Sequence, residues 1–131
     1  SSYDWVMKEA DAEIINNTAL IYLPWKCSIE SINTAFEKVE DVKKTVIFSH
    51  DYLTINSIPK EFREEMRLMN NEEQVVTALD LAAEISEKIE GYFGHIGLQY
   101  PSFKEIFQHK KQVTTFHVDE KNQKLLYLEI E

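Results

Sequence analysis

Two residues of this chain have the chemistry of a nucleophile and its base: the single cysteine, Cys27, and His50. Cys27 ends the stretch Pro24-Trp25-Lys26-Cys27, which follows an apolar run and directly precedes a helix beginning at Ser28. A thiol placed there feels the positive end of the helix dipole, and the neighbouring Lys26 adds to it, so its pKa could be lowered. His50 lies in Ser49-His50-Asp51-Tyr52, after a second apolar run. If the two runs are adjacent parallel strands, thiol and imidazole share one sheet edge, the arrangement of a small α/β enzyme. The spacing matches no family motif. No second Cys completes a CxxC couple, and no Arg follows in the loop to hold a phosphate oxyanion. The plainer reading, a buried structural Cys and a solvated loop His, is the preferred one.

All three glycines fall within Gly91-Tyr92-Phe93-Gly94-His95-Ile96-Gly97. Phosphate cradles need glycines between a strand and the helix after it. This cluster follows a long helical pattern instead, so it reads as a helix C-cap and a loop of positive φ. The loop before Ser28 has no glycine, which excludes a dinucleotide fold. Around the glycines crowd Tyr92, Phe93, Ile96, Leu98, Tyr100, Phe103 and Phe107, more rings than one helical face can bury. Both a mini-core and an exposed contact surface fit this pattern. Tyr92, Phe93, Ile96 and Tyr100 are the partner-binding candidates, because large rigid rings serve as interface anchors.

Metal and cofactor chemistry find little support. His117 and Asp119 share a strand face at i, i+2, but no HExxH and no second His at helical spacing accompany them. No metal and no cofactor are expected. The acidic residues are too numerous to single out a catalytic pair, and most sit on solvated faces.

Net charge is −9, from 14 basic and 23 acidic residues, with a pI near 4.9. Only residues 102–124 run positive, with Lys104, Lys110, Lys111, Lys121 and Lys124 against Glu105, Asp119 and Glu120. Phosphate backbones need a dense cationic footprint, so nucleic acid is excluded as a partner. A basic or neutral protein is accommodated more easily. The longest apolar run, Ala19 to Trp25, falls far short of the ~20 residues of a spanning helix. The start lacks the features of a signal peptide and lacks a Met, which suggests a processed product or a domain cut from a longer chain. With one unpaired Cys, an intracellular and cytoplasmic location is expected.

The elements that must position these residues follow from periodicity. A chain of 131 residues supports one domain, spanning 1–131, with a single core. Val6, Ala10 and Ile14 predict a helix over 3–16, stopped at Asn16-Asn17. Thr18 to Leu23 and Lys44 to Ser49 predict buried strands, with a helix capped by Ser28 between them: a right-handed βαβ unit. After the irregular stretch 51–58, Pro59 opens a helix carrying Phe62, Met66 and Met69. Asn70 and Glu73 cap the longest helix, over 71–92, and Ser102 with Glu105 caps a short one. Val113–Val118 and Lys124–Ile130 predict a C-terminal antiparallel hairpin, with Asn122 taking positive φ in its turn. The expected fold is α/β (mixed α+β), with about four strands in a mixed sheet and helices packed against it. The expected function is a non-catalytic protein-interaction domain, either regulatory or adaptor, or a small acidic inhibitor of a basic protein. The alternatives are the Cys27–His50 enzyme and an acidic polyanion mimic.

Overall fold

A computed structural model describes residues 9–51, 60, 72–94 and 103–117, with only the backbone at 103–105, 107, 109 and 117. The architecture is α/β: a six-stranded mixed sheet with two helices on one face. In chain order the elements are β1 (Asp11–Ile15), β2 (Thr18–Leu23), α1 (Ile29–Phe36) and β3 (Lys44–Ser49). Then come α2 (Glu72–Ile85), β4 (Lys88–Phe93), β5 (Phe103–His109) and β6 (Lys111–His117). The strand order is β1-β2-β3-β4-β6-β5. β2, β3, β4 and β6 are parallel, and β1 and β5 are the antiparallel outer strands among the described residues.

The predicted unit β2–α1–β3 is present, and β2 and β3 pair in parallel over their whole length. Ser28 caps α1: its hydroxyl accepts from the Ser31 backbone N–H at 3.0 Å, a contact worth about 1 kcal/mol. Ile32, Ala35 and Phe36 of α1 and Val75, Ala78, Leu79 and Ala82 of α2 bury against Ala19, Ile21, Leu23, Ile47, Ile89 and Phe93. Both helices therefore lie on the same face. β2, β3, β4 and β6 succeed one another in a single direction across the sheet. No reversal of strand order opens the crevice in which doubly wound folds bind nucleotides.

Several expectations are corrected. Among the described residues the strands number six, not about four, and the parallel set extends beyond the β2–β3 pair to four strands. Residues 11–15 are a strand and not the end of a helix. Asn16 and Asn17 both have positive φ (51° and 61°), the conformation of the tight two-residue turn that joins antiparallel strands. The long helix stops at Ile85 instead of running to 92, and residues 88–93 form β4. Its spacing of Ile85, Ile89 and Tyr92 imitates a helical stripe, but Gly91 would cost a helix about 1 kcal/mol. Residues 103–109 are a strand, not a short capped helix. The hairpin partner of β6 is β5, which precedes it, and the turn residue with positive φ is Lys110 (53°). The strand 124–130, Asn122, the helix after Pro59 and the cap residue Asn70 lie outside the described residues.

The other face of the sheet carries a ring ladder. Tyr22, Phe48, Tyr92 and Phe116 are register partners on β2, β3, β4 and β6. Successive centroids are 6.0, 5.4 and 4.9 Å apart and the rings are nearly parallel. Offset stacks of this kind add roughly 0.5–1.5 kcal/mol per pair beyond the area they bury. Tyr22 also donates its hydroxyl to Glu13 of β1, tying the edge strand to the ladder. Among the described residues, no helix is long and apolar enough to cross a membrane.

Candidate functional site

The parallel strands end together, with Leu23, Ser49 and Phe93 in register. Backbone bonds knit the loops that follow: His50 N–H donates to the Leu23 carbonyl and Gly94 N–H to the Ser49 carbonyl, each at 3.0 Å. Asp51 N–H donates to the Ser49 hydroxyl at 3.1 Å, and Asp51 is buried. This rigid edge positions a four-residue turn after β2. The Cys27 N–H donates to the Pro24 carbonyl at 3.2 Å, and Lys26 takes φ 60°. That left-handed position is one that turns normally give to Gly or Asn.

The turn sends its side chains in different directions. Cys27 goes inward: it is 2% exposed and belongs to the helix-side core. Burial pushes its thiol up to about 12, and the carboxylates of Asp51 and Glu9 push the same way. Desolvation of a thiolate outweighs a partial charge at a helix end, so the buried, structural reading of Cys27 fits its place better than a lowered pKa does. Cys27 and His50 do lie at the same end of the sheet, with the thiol buried in the helix-side core. Trp25 goes outward and is 46% exposed. The Lys26 ammonium lies 4.5 Å from its ring centroid, and the His50 ring lies 6.2 Å away, tilted by 45°.

An open groove of about 500 Å³ begins beside this turn and runs along α1. Glu9, Ser28, Glu30, Thr34 and Lys38 are among its lining residues. Ser28 donates its hydroxyl to Glu9 at 3.4 Å, and Lys38 is ion-paired with Asp11. Burial raises the Asp11 carboxyl, but the hydrogen bonds from Lys38 and the Ala12 backbone prevail and hold it below the ordinary aspartate value.

The aromatic cluster around the glycines is divided. Phe93 is fully buried on the helix side, with its ring over Gly91, where an added Cβ would come within 2.1 Å of it. Gly91 is therefore a seat for a ring, not a helix cap. Tyr92 points to the opposite face and is part of the ladder. Both rings pack in the interior, so neither projects as an anchor. Ile96 and Tyr100 lie outside the described residues, as do His95, Gly97 and Asp119. Among the described residues no group of His, Cys, Asp or Glu is arranged to hold a metal. Lys110, in the positive stretch 102–124, sits at the tip of the β5–β6 hairpin and pairs with Asp80 at 3.3 Å. Trp25 is the residue that the charge and motif patterns passed over. The available signal was a lone indole in a short strand-to-helix loop.

No protein-family model, no curated protein and no solved structure matches this chain.

Proposed function

We propose that the chain is a non-catalytic protein-binding domain whose contact surface is the C-terminal end of the parallel sheet, centred on Trp25. The observation that carries this reading is the exposure of Trp25 on a rigid turn. Among the described residues, the other large exposed apolar side chains are Ile14 on β1 and Ile106 on β5. Trp is the residue most enriched at binding hot spots, and a ring fixed by its backbone loses little entropy on contact. The enzyme reading is disfavoured by the burial and raised pKa of Cys27. A reducing, intracellular and cytoplasmic setting suits the free thiol, and a regulatory or inhibitory role suits the acidic charge.

The test compares native and Trp25→Ala proteins as baits in an extract of the native host. A partner retained by the first is then titrated against both. The expected loss for Trp25→Ala is at least about 2 kcal/mol of binding, with chemical denaturation unchanged within about 1 kcal/mol. Equal affinity for the two proteins overturns the assignment.

A further inference from the structure

The Trp25–Lys26 turn has two unfavourable features at adjacent residues. An indole is left half in water, and a lysine is held at φ 60° where glycine would be unstrained. The same geometry lays the Lys26 ammonium on the Trp25 ring, 4.5 Å from its centroid. A tethered cation already occupies the electron-rich face of the ring. The surroundings suit a cation too. Glu9 reaches Ser28, just past the turn, and Glu30 lines the adjoining groove. The groove's own cation, Lys38, is engaged by Asp11. Asp51 follows His50, whose ring lies beside Trp25. Glu9 and Asp51 both lie close enough to the turn to push the Cys27 thiol upward. The whole chain carries −9.

We propose that this turn docks a basic segment of a partner protein: an Arg or Lys of the partner replaces Lys26 on the Trp25 ring, and the residues beside it lie along the acidic groove next to α1. The proposal rests on the protein-binding reading above and names the chemistry of its partner. Lys26 is then an internal competitor, holding the ring until a better cation arrives. Arg suits the place better than Lys, because a guanidinium is weakly hydrated and stacks flat on an aromatic face. Simple attraction to an acidic surface predicts no special role for Trp25. Displacement predicts that removing Lys26 strengthens binding.

The experiment uses the full chain with Trp5→Phe, which leaves Trp25 as the one indole. Hexaarginine and hexaglutamate peptides are titrated at near-physiological salt, followed by indole fluorescence and by calorimetry. The expected result is binding of hexaarginine alone. Trp25→Ala weakens it at least tenfold, Glu9→Gln weakens it about threefold, and Lys26→Gly tightens it about threefold or more. Lys26→Met, which keeps a Cβ at the turn, tightens it in the same direction and guards against a reshaped backbone. Weaker binding by both Lys26 variants overturns the proposal, as does preference for hexaglutamate or indifference of hexaarginine to Trp25→Ala. If hexaarginine is indifferent while the captured partner still loses affinity with Trp25→Ala, the docking surface stands and its basic occupant falls. Indifference of both ligands removes the surface as well.

Discussion

The two ends of the sheet are built in opposite ways. At the end where the parallel strands begin, polar groups are locked together. The Thr45 and Ser86 hydroxyls meet at 2.8 Å in a buried pair, and Ser86 also donates to the Ala82 carbonyl. Lys111 donates to the Ser86 carbonyl at 2.7 Å, and Val42 N–H donates to the Ile85 carbonyl. Lys44 pairs with Glu90, and Lys110 with Asp80. At the described part of the end where the strands finish, the backbone is bonded as well, but Trp25 stands half exposed on a turn with Lys26 at positive φ, beside an open groove lined by Glu9 and Glu30. The contrast supports the proposal that the Trp25 turn is a contact surface, and each prediction below is an attempt to break it.

The largest effect concerns Cys27, which lies at the outward-facing end yet belongs to the core. A thiol moved from 9.0 to about 12 has about a thousandfold less thiolate near neutral pH, since each pKa unit is a factor of ten. Iodoacetamide is therefore expected to modify the native protein at least that much more slowly than the unfolded one. The sign for stability follows. The folded state holds its proton longer, so this contribution is complete below about pH 9 and is lost as pH rises toward 12. Rapid labelling of the native protein at pH 7 would return Cys27 to the reactive end and revive the enzyme reading.

Next comes a pair of rings at the same end. Phe93→Ala empties a fully buried site and is expected to cost about 3–5 kcal/mol. Trp25→Ala, a larger truncation on paper, is expected to cost less than about 1 kcal/mol because its ring is half in water already. Urea denaturation of both variants measures the gap. Equal losses would make Trp25 another core ring and erase the distinction between the ends.

These two rings also show how far sequence reasoning reaches. The unit β2–α1–β3 was legible because Thr18–Leu23 and Lys44–Ser49 are short apolar runs with a capped amphipathic helix between them. β1 and β4 were not. Asp11–Ile15 alternates for too few residues to outweigh the helical spacing of Val6, Ala10 and Ile14, although Asn16-Asn17 is a genuine hairpin signal. Lys88–Phe93 continues the helical period of α2 by coincidence, and only Gly91 argues against it. The candidate site suffered from the same limits. That Cys27 and His50 share an end followed from the βαβ unit, but side-chain direction did not. Cys27 turns inward and Trp25 outward within one turn because Lys26 takes positive φ, which no pattern of residue types announces at a lysine.

A smaller effect tests the locked end. Ser86→Ala leaves the fully buried Thr45 hydroxyl without its partner and is expected to cost about 1–2 kcal/mol. Thr45→Val together with Ser86→Ala is expected to recover part of that loss, because no buried polar group is then left stranded. Denaturation of the single and double variants gives the coupling. Additive losses would mean that the hydroxyl pair locks nothing.

The smallest effect has the opposite sign. Lys26→Gly removes a Cβ from a left-handed position, relieving strain of about 1–2 kcal/mol. Against this stand the extra freedom of glycine in the unfolded chain, roughly 0.5–1 kcal/mol, and the loss of an exposed cation–π contact of about 0.5 kcal/mol. The balance lies between a loss of about 0.5 and a gain of about 1 kcal/mol, with a small gain at its centre, read as a slightly higher denaturation midpoint. Lys26→Ala keeps the Cβ and loses the cation, so it is expected to fall below the native protein by about the cation–π contribution. The order Gly above Lys above Ala isolates the backbone from the ring contact. If Gly falls more than about 0.5 kcal/mol below Lys, the left-handed turn carries no strain of this size, and Lys26 occupies its place for stability alone.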